Sequence, residues 1–234
     1  EMCIRDSVGT GDLTAALIAP DTQAHARVLA RESAVICGRP WVEAAVLAID
    51  PGVQLVWHVL EGQRCEANTV VLELHGKAQS ILTAERTLLN FMQTLSAVAT
   101  KVALYVERVA GTRAQIVDTR KTLPGLRMAQ KYAVKVGGGA NHRMGLYDAV
   151  LIKENHIAAA GGVRAVLAQV QTQAPQARFV QIEVETLAQL QEALEAGARM
   201  VLLDNMNIPT LQQAVAMNAQ FAKTHGHGAL LEIS

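Results

Sequence analysis

The sequence is poor in aromatic residues, which make up only 3% of its 234 residues. Proteins that bind single-stranded nucleic acids often stack the bases on aromatic side chains, and this composition offers no such platform. The formal net charge is zero, from 21 basic and 21 acidic residues, so no overall positive field attracts a polyanion. Nucleic acid is therefore not an expected partner.

The sequence also lacks long apolar runs and paired cysteines. None of its apolar runs approaches the roughly 20 residues of a membrane-spanning helix, and no secretory signal pattern is seen near its start. Its three cysteines, Cys3, Cys37 and Cys65, are far apart and form no CxxC pair. That spacing favours thiols of a reducing compartment over a disulfide framework or a zinc site. We expect a cytoplasmic protein with no membrane partner.

The first part of the chain has the pattern of a small α+β domain. Turn residues divide its apolar stretches into predicted strands at 26–37, 53–60 and 69–74, with a short helix at 42–49. A long helix follows and ends at Gly111, with Thr83 as its N-cap and Glu85 in its first turn.

After Gly111 the pattern changes to strands that alternate with helices, which predicts a parallel sheet. The predicted strands cover 114–118, 149–153, 179–185, 200–204 and 229–233. The predicted helices cover 126–136, 163–172, 187–196 and 208–223. We place the domain limits at residues 8–110 and 111–234.

Charged side chains occur at the ends of several predicted strands, namely Arg120, Lys121, Lys153, Glu183 and Asp204. In an α/β barrel the carboxyl ends of the strands form the active-site face, so we expect these side chains to converge at one rim. The alternative is that the charges only mark where strands reach the surface.

Positive charge is concentrated between residues 111 and 160, which contain eight Lys or Arg residues and three acidic ones. Such a cluster in a neutral protein favours a small anionic ligand. For Arg127, Lys131 and Lys135 we favour a solvated helix surface instead. The glycine triplet at 137–139 would let the backbone approach a ligand closely, although a flexible turn has the same pattern.

In their order and spacing, several segments resemble the quinolinate phosphoribosyltransferase family. They are residues 84–90, 95–96, 118–127, 131–134, 137–143, 151–156, 183–185 and 203–205. The resemblance implies an N-terminal α/β sandwich followed by an irregular α/β barrel. It also implies a homodimer in which the small domain of one subunit covers the barrel mouth of the other.

The resemblance further implies the site residues and the substrates, which are quinolinate and phosphoribosyl pyrophosphate. The implied quinolinate pocket consists of Arg86, Arg120, His142, Arg143 and Lys153, with Arg86 supplied by the partner subunit. Thr119 joins the substrate-binding residues. Lys121, Glu183 and Asp204 are the implied catalytic residues that serve the phosphoribosyl donor, and the two carboxylates are the implied ligands of its Mg²⁺.

The chemistry of the substrates agrees with these residue types. Quinolinate carries two adjacent carboxylates, which are costly to desolvate unless several cations are already in place. Mg²⁺ usually takes one or two protein carboxylates together with substrate oxygens. Glu185 lies two residues after Glu183 and is an alternative ligand. His156 is expected to be structural, and the histidines without a recognised constellation are read as surface or satisfied side chains: His25, His58, His75, His225 and His227.

The chain departs from the family pattern at its end, because Ser234 precedes the glycine-rich loops that hold the donor's 5′-phosphate in the family. We therefore expect a barrel that is incomplete at the C-terminus. Three alternatives stay open: a related phosphoribosyltransferase-like protein for another ring acid, an inactive anion-binding fragment, and a Schiff-base aldolase that uses Lys153.

Overall fold

The computed structural model describes residues 7–9 and 11–234, so Cys3 lies outside the described residues. The chain divides into two compact units, residues 1–142 and 143–234. The domain limits drawn from the sequence, 8–110 and 111–234, stay a prediction. No helix in the described part of the chain has the length and apolar character to span a membrane.

The first unit combines small antiparallel sheets with helices. Its strands are β1 (Gln23–Leu29), β2 (Ala34–Val35), β3 (Gln54–Trp57), β4 (Arg64–Cys65) and β5 (Val70–Lys77). Its helices are α1 (Arg39–Ile49), α2 (Ala78–Arg108) and α3 (Arg127–Val136), after a short 3₁₀ turn at Ala15–Leu17. Strands β1 and β3 pair with the two edges of β5, and β2 pairs with β4. The predicted strand at 26–37 is thus two strands, and β4 was not predicted.

The core of this sheet lies on one face of β5. Leu72 and Leu74 alternate with Glu73, so both leucines point to the same side. They are buried there with Val46 of α1 and Leu88 of α2. The opposite face of β5 carries polar side chains.

The long helix α2 begins earlier than its sequence predicts. Lys77 is its N-cap, so the prediction of Thr83 as the N-cap, with Glu85 in the first turn, is wrong. Residues 78–82 suit a helix and continue directly from β5, which leaves no loop before Thr83. The Thr83 hydroxyl instead donates to Asp12 Oδ2 at 2.9 Å.

The glycine triplet lies against α2, so its backbone approaches a helix of the protein. A Cβ added at Gly137 would lie 2.4 Å from the carbonyl oxygen of Ala99, and one at Gly139 would lie 3.0 Å from Val102 Cγ1. Close backbone packing therefore accounts for two of the three glycines, where the sequence suggested a ligand or a flexible turn.

The second unit is a parallel α/β sheet. Its strands are β6 (Val150–Ile152), β7 (Val180–Val184), β8 (Met200–Leu203) and β9 (Leu230–Ile233), hydrogen-bonded in that order. Its helices are α4 (Glu154–Ala160), α5 (Val163–Gln173), α6 (Leu187–Glu195) and α7 (Ile208–His225). Ile182 and Val201 of the sheet pack with Leu190 and Phe221 of the helices. The predicted mixed α/β fold with a parallel C-terminal sheet is confirmed.

After Gly111, one predicted strand is wrong and one helix was missed. Residues 114–118 do not form a strand, because only Val117 bridges Ala140, in parallel fashion. The residues around Val117 are mostly exposed, and among the described residues the bridge to Ala140 is not extended into a longer ladder. Helix α4 was not predicted.

Replacing Gly137 with alanine should lower the free energy of unfolding by about 3 kcal/mol, because the new Cβ would overlap a backbone carbonyl. Gly111 has a positive φ but open space around it, so Gly111→Ala should cost only about 1 kcal/mol of backbone strain. Urea denaturation curves of the two variants measure the difference. Equal losses would contradict the proposed packing role of the triplet.

Candidate active site

The carboxylate of Asp118 organises the candidate residues of the first unit. It forms an ion pair with Lys131 of α3, and the side chains are 6% and 1% exposed, respectively. Asn141 Nδ2 donates to Asp118 Oδ2 at 2.6 Å, and the His142 backbone N–H donates to Oδ1 at 2.9 Å. One aspartate therefore holds together the Val117 bridge, α3 and the segment at 140–142.

The expectation of a solvated surface for α3 is only partly correct. Lys135 is exposed, as predicted, whereas Lys131 is buried, so that prediction is wrong for Lys131. Arg127 is half-buried, and its Nε donates to Thr122 Oγ1 at 3.2 Å. The prediction of a solvated side chain is therefore wrong for Arg127 as well. Lys131 can be buried because the carboxylate of Asp118 compensates its charge, and an unpaired lysine there would be costly.

The next three residues, 119–121, form a tight turn with two cations. Thr119 Oγ1 accepts a hydrogen bond from the Lys121 backbone N–H at 3.0 Å. The Lys121 side chain is exposed, and no other described residue pairs with it. Arg120 is half-buried, and its Nε is buried without a hydrogen-bond partner among the described residues. Because a buried donor without an acceptor is unfavourable, an anionic ligand would suit this position.

Two further predicted residues of this unit occupy different environments. Arg86 is exposed on α2 and makes no ion pair within the described part of the chain. His142 is half-buried, and its backbone belongs to the Asp118 network through the N–H and the carbonyl.

Arg143 is the first residue of the second unit, and it is buried, with 9% of its surface exposed. Asp148 stabilises the loop that follows, because its carboxylate accepts from the backbone N–H groups of Met144 and Gly145, both at 2.9 Å. The hydrogen bond from Gly145 has the largest effect on this carboxyl. Together with the bond from Met144 it holds the pKa of Asp148 below its usual range, and the guanidinium of Arg178 lowers that pKa further.

Three predicted residues occur at the carboxyl ends of neighbouring strands. Lys153 follows β6, Glu183 lies near the end of β7, and Asp204 follows β8. Lys153 Nζ lies 3.3 Å from Glu183 Oε2. Glu183 is level with Leu202 in the sheet, so Asp204 lies two residues farther along the same face. Parallel register thus assembles a cation and two carboxylates at one edge.

Glu185 has different surroundings from Glu183. The Glu183 side chain is 11% exposed, whereas Glu185 is exposed and follows the end of β7. Asn205 adopts a positive φ of 54° and donates to Asp204 Oδ2 at 3.1 Å and to Glu185 Oε1 at 3.4 Å. Glu183 is therefore the carboxylate held on the sheet face.

His156 has a local structural role, as expected. Its Nδ1 accepts the Lys153 backbone N–H at 3.0 Å and completes the first turn of α4. The hydrogen bond fixes the backbone where the Lys153 side chain begins.

Sequence reasoning missed a polar pair on the same sheet face. Gln181 is fully buried, and its Nε2 donates to Glu232 Oε2 at 2.8 Å. Both side chains are on the same sheet face as Glu183, because Glu183, Leu202 and Glu232 are level across β7, β8 and β9. The alternation of polar and apolar residues at 181–184 is the sequence signal that could have indicated this face.

Replacing Lys131 with methionine should lower the free energy of unfolding by about 3–5 kcal/mol, because the buried Asp118 carboxylate would lose its counter-charge. Lys135→Met on the exposed side of α3 is the matched control and should change stability by no more than about 0.5 kcal/mol. Urea unfolding of both variants gives the comparison. If Lys131→Met is as mild as the control, the buried pair does not organise this unit.

The family models for the quinolinate phosphoribosyl transferase N-terminal and C-terminal domains match residues 12–96 and 98–234, respectively. A probable nicotinate-nucleotide pyrophosphorylase of Bacillus subtilis is 36% identical over 225 residues, which cover 96% of this chain and 78% of that protein. The Mycobacterium leprae nicotinate-nucleotide pyrophosphorylase is 42% identical over 207 residues, covering 86% of this chain and 72% of that protein. The solved structure of the Francisella tularensis nicotinate-nucleotide pyrophosphorylase has a TM-score of 0.93 and 39% identity, covering all of this chain and 80% of that one. The chain therefore belongs to the quinolinate phosphoribosyltransferase family.

Proposed function

We propose that this chain transfers the phosphoribosyl group of phosphoribosyl pyrophosphate to the ring nitrogen of quinolinate. The products are nicotinate mononucleotide, pyrophosphate and carbon dioxide, and the reaction belongs to NAD biosynthesis. The observation that carries the proposal is the match of both family domains over residues 12–96 and 98–234. This makes the chain a pentosyltransferase.

The cations identified in the two units are assigned to the carboxylates of quinolinate. In the first unit these residues are Arg120 and His142, and in the second unit they are Arg143 and Lys153. Arg120 offers a buried Nε that lacks an acceptor among the described residues, and a substrate carboxylate would provide one. Thr119 supports this arrangement by fixing the turn through its bond to the Lys121 N–H.

The phosphoribosyl donor is assigned to Lys121, Glu183 and Asp204. Two carboxylates from adjacent strands fit Mg²⁺, which prefers oxygen ligands and keeps several positions for water and substrate phosphates. When bound, Mg²⁺ would neutralise charge on the pyrophosphate. Glu183 and Asp204 would hold it, while the exposed ammonium of Lys121 would bind the leaving pyrophosphate.

The reaction then requires charge stabilisation by these residues and no protein nucleophile. The bond between ribose C1 and the pyrophosphate oxygen breaks, its electron pair leaves with the pyrophosphate, and positive charge develops on the ribose. The carboxylate of Glu183 can stabilise that charge. The quinolinate nitrogen forms the new bond to C1. The adjacent carboxylate then leaves as carbon dioxide, the electron pair of its bond stays on the ring carbon beside the quaternised nitrogen, and a proton from solvent takes the place of the lost carboxylate.

The proposal includes a homodimer in which Arg86 serves the active site of the partner subunit. Arg86 is exposed on α2, close in sequence to Leu82, whose surface is 47% exposed. Both features suit a helix face that meets another subunit. We also assign the enzyme to the cytoplasm, since Cys37 and Cys65 are free thiols.

Carboxyl-labelled quinolinate should release labelled carbon dioxide only when phosphoribosyl pyrophosphate and Mg²⁺ are both present. Glu183→Gln should lower kcat by about 100-fold or more, because a neutral amide stabilises neither the metal nor the ribose cation. Glu185→Gln removes the same charge from the exposed neighbour and should retain near wild-type kcat.

Two outcomes would contradict these assignments. Binding of quinolinate without release of carbon dioxide would favour an inactive anion-binding protein. A larger loss in Glu185→Gln than in Glu183→Gln would exchange the roles of the two glutamates.

A subunit-mixing experiment tests the assignment of Arg86. Arg86→Ala and Glu183→Gln should each be nearly inactive alone. If Arg86 acts in the partner's site, a mixed dimer has one intact site and one doubly altered site. After random exchange of equal amounts, activity should return to about a quarter of wild type. If Arg86 acts within its own subunit, the mixture should stay inactive.

A further inference from the structure

Three histidines and one glutamate gather on the polar face of the β1–β5–β3 sheet. His25 is on β1, Glu73 and His75 are on β5, and His58 follows β3 directly. The Nε2 atoms of His25, His75 and His58 lie 3.3, 3.7 and 3.6 Å, respectively, from Glu73 Oε2. The three histidines are at the surface, as predicted, but the prediction that they have no constellation around them is wrong.

The sheet fixes this grouping. His25 pairs directly with His75 across the antiparallel ladder of β1 and β5. Glu73 lies two residues before His75 on the same strand, so its side chain is on the same face. Because Leu72 and Leu74 are buried on the opposite face, the register of the strand cannot slip without exposing the core.

The spacing of the donor atoms suits a small tetrahedral cation. Ligand bonds to Zn²⁺ are about 2.0–2.2 Å long, which places neighbouring ligand atoms about 3.4 Å apart in a tetrahedron. The donor atoms of His25, Glu73 and His75 all lie within 4.8 Å of one another. The His25 and His75 rings are stacked with centroids 4.2 Å apart, so small rotations about their side-chain torsions would direct both Nε2 atoms to one point.

Access and charge also suit a cation. The three histidine side chains are 42–48% exposed, and Glu73 is 24% exposed, so an ion from solvent can reach every donor. The carboxylate supplies the negative charge, and neutral imidazoles supply nitrogen lone pairs.

We propose that His25, Glu73 and His75 bind one borderline divalent transition cation, such as Zn²⁺, with His58 beside Glu73 as a fourth donor. Imidazole nitrogens select Zn²⁺, Ni²⁺ or Cu²⁺ over Mg²⁺, which prefers oxygen ligands. This site is therefore distinct from the proposed Mg²⁺ ligands Glu183 and Asp204, and it does not depend on the proposed function. A bound ion would join β1 to β5 and so stabilise the sheet.

Equilibrium dialysis of the full chain, prepared without a polyhistidine tag, tests the site with Zn²⁺ as the probe. We expect one equivalent of Zn²⁺ per chain, undisturbed by a large excess of Mg²⁺. His25→Gln and His75→Gln should each weaken binding at least tenfold, and Zn²⁺ should raise the melting temperature of the wild type but not of these variants. His225→Gln is the matched control, because His225 is exposed and belongs to the second unit.

Cooperative urea unfolding of His25→Gln and His75→Gln, with the m-value of the wild type, would show that both variants are folded. Binding of Co²⁺ should give the visible bands of a tetrahedral nitrogen and oxygen site, without the charge-transfer band of a thiolate. The proposal is overturned if the wild type binds no Zn²⁺, if both variants bind as tightly as the wild type, or if a thiolate band shows that cysteine is the ligand.

Discussion

The buried ion pair between Asp118 and Lys131 is the constraint on which the candidate site of the first unit depends. A carboxylate and an ammonium can be buried together only if their remaining hydrogen-bonding positions are satisfied, and Asn141 and the His142 N–H provide that. The turn at 119–121 begins immediately after Asp118, so its cations extend from a fixed backbone. The aspartate acts on the site through position, because it holds the segments that carry the cations.

Parallel strand register has the corresponding role in the second unit. Lys153, Glu183 and Asp204 are at neighbouring strand ends because β6, β7 and β8 pair in parallel with no shift of register. On the same face, the buried Gln181 donates a hydrogen bond to the half-buried Glu232, so the polar side chains of this face continue beyond Glu183. Such support limits the freedom of Glu183, which a site that must stabilise developing charge requires.

The sequence predicted well what depends on local pattern and poorly what depends on distant partners. The four strands of the second unit and three of its four helices follow from hydrophobic periodicity, with ends correct to within two residues, whereas the short helix α4 was missed. The burial of Lys131 could not be read from its helix, because Asp118, thirteen residues earlier, is its partner. The close approach of Gly137 to Ala99 and the grouping of His25 with His75 likewise arise from tertiary contacts and strand register.

The cations of this protein are of two kinds: some are paired within the fold and others are available to ligands. Lys131 is neutralised inside the fold, whereas Lys121 is exposed and pairs with no other described residue. Lys153 is intermediate: it forms an ion pair with Glu183, but its own side chain is 46% exposed, so solvent weakens the pair and lets Lys153 exchange partners. In the proposed reaction a substrate carboxylate would take Lys153, and Glu183 would then be released for the metal and the ribose. A net charge of zero hides this division, because counting residues does not distinguish a paired cation from an available one.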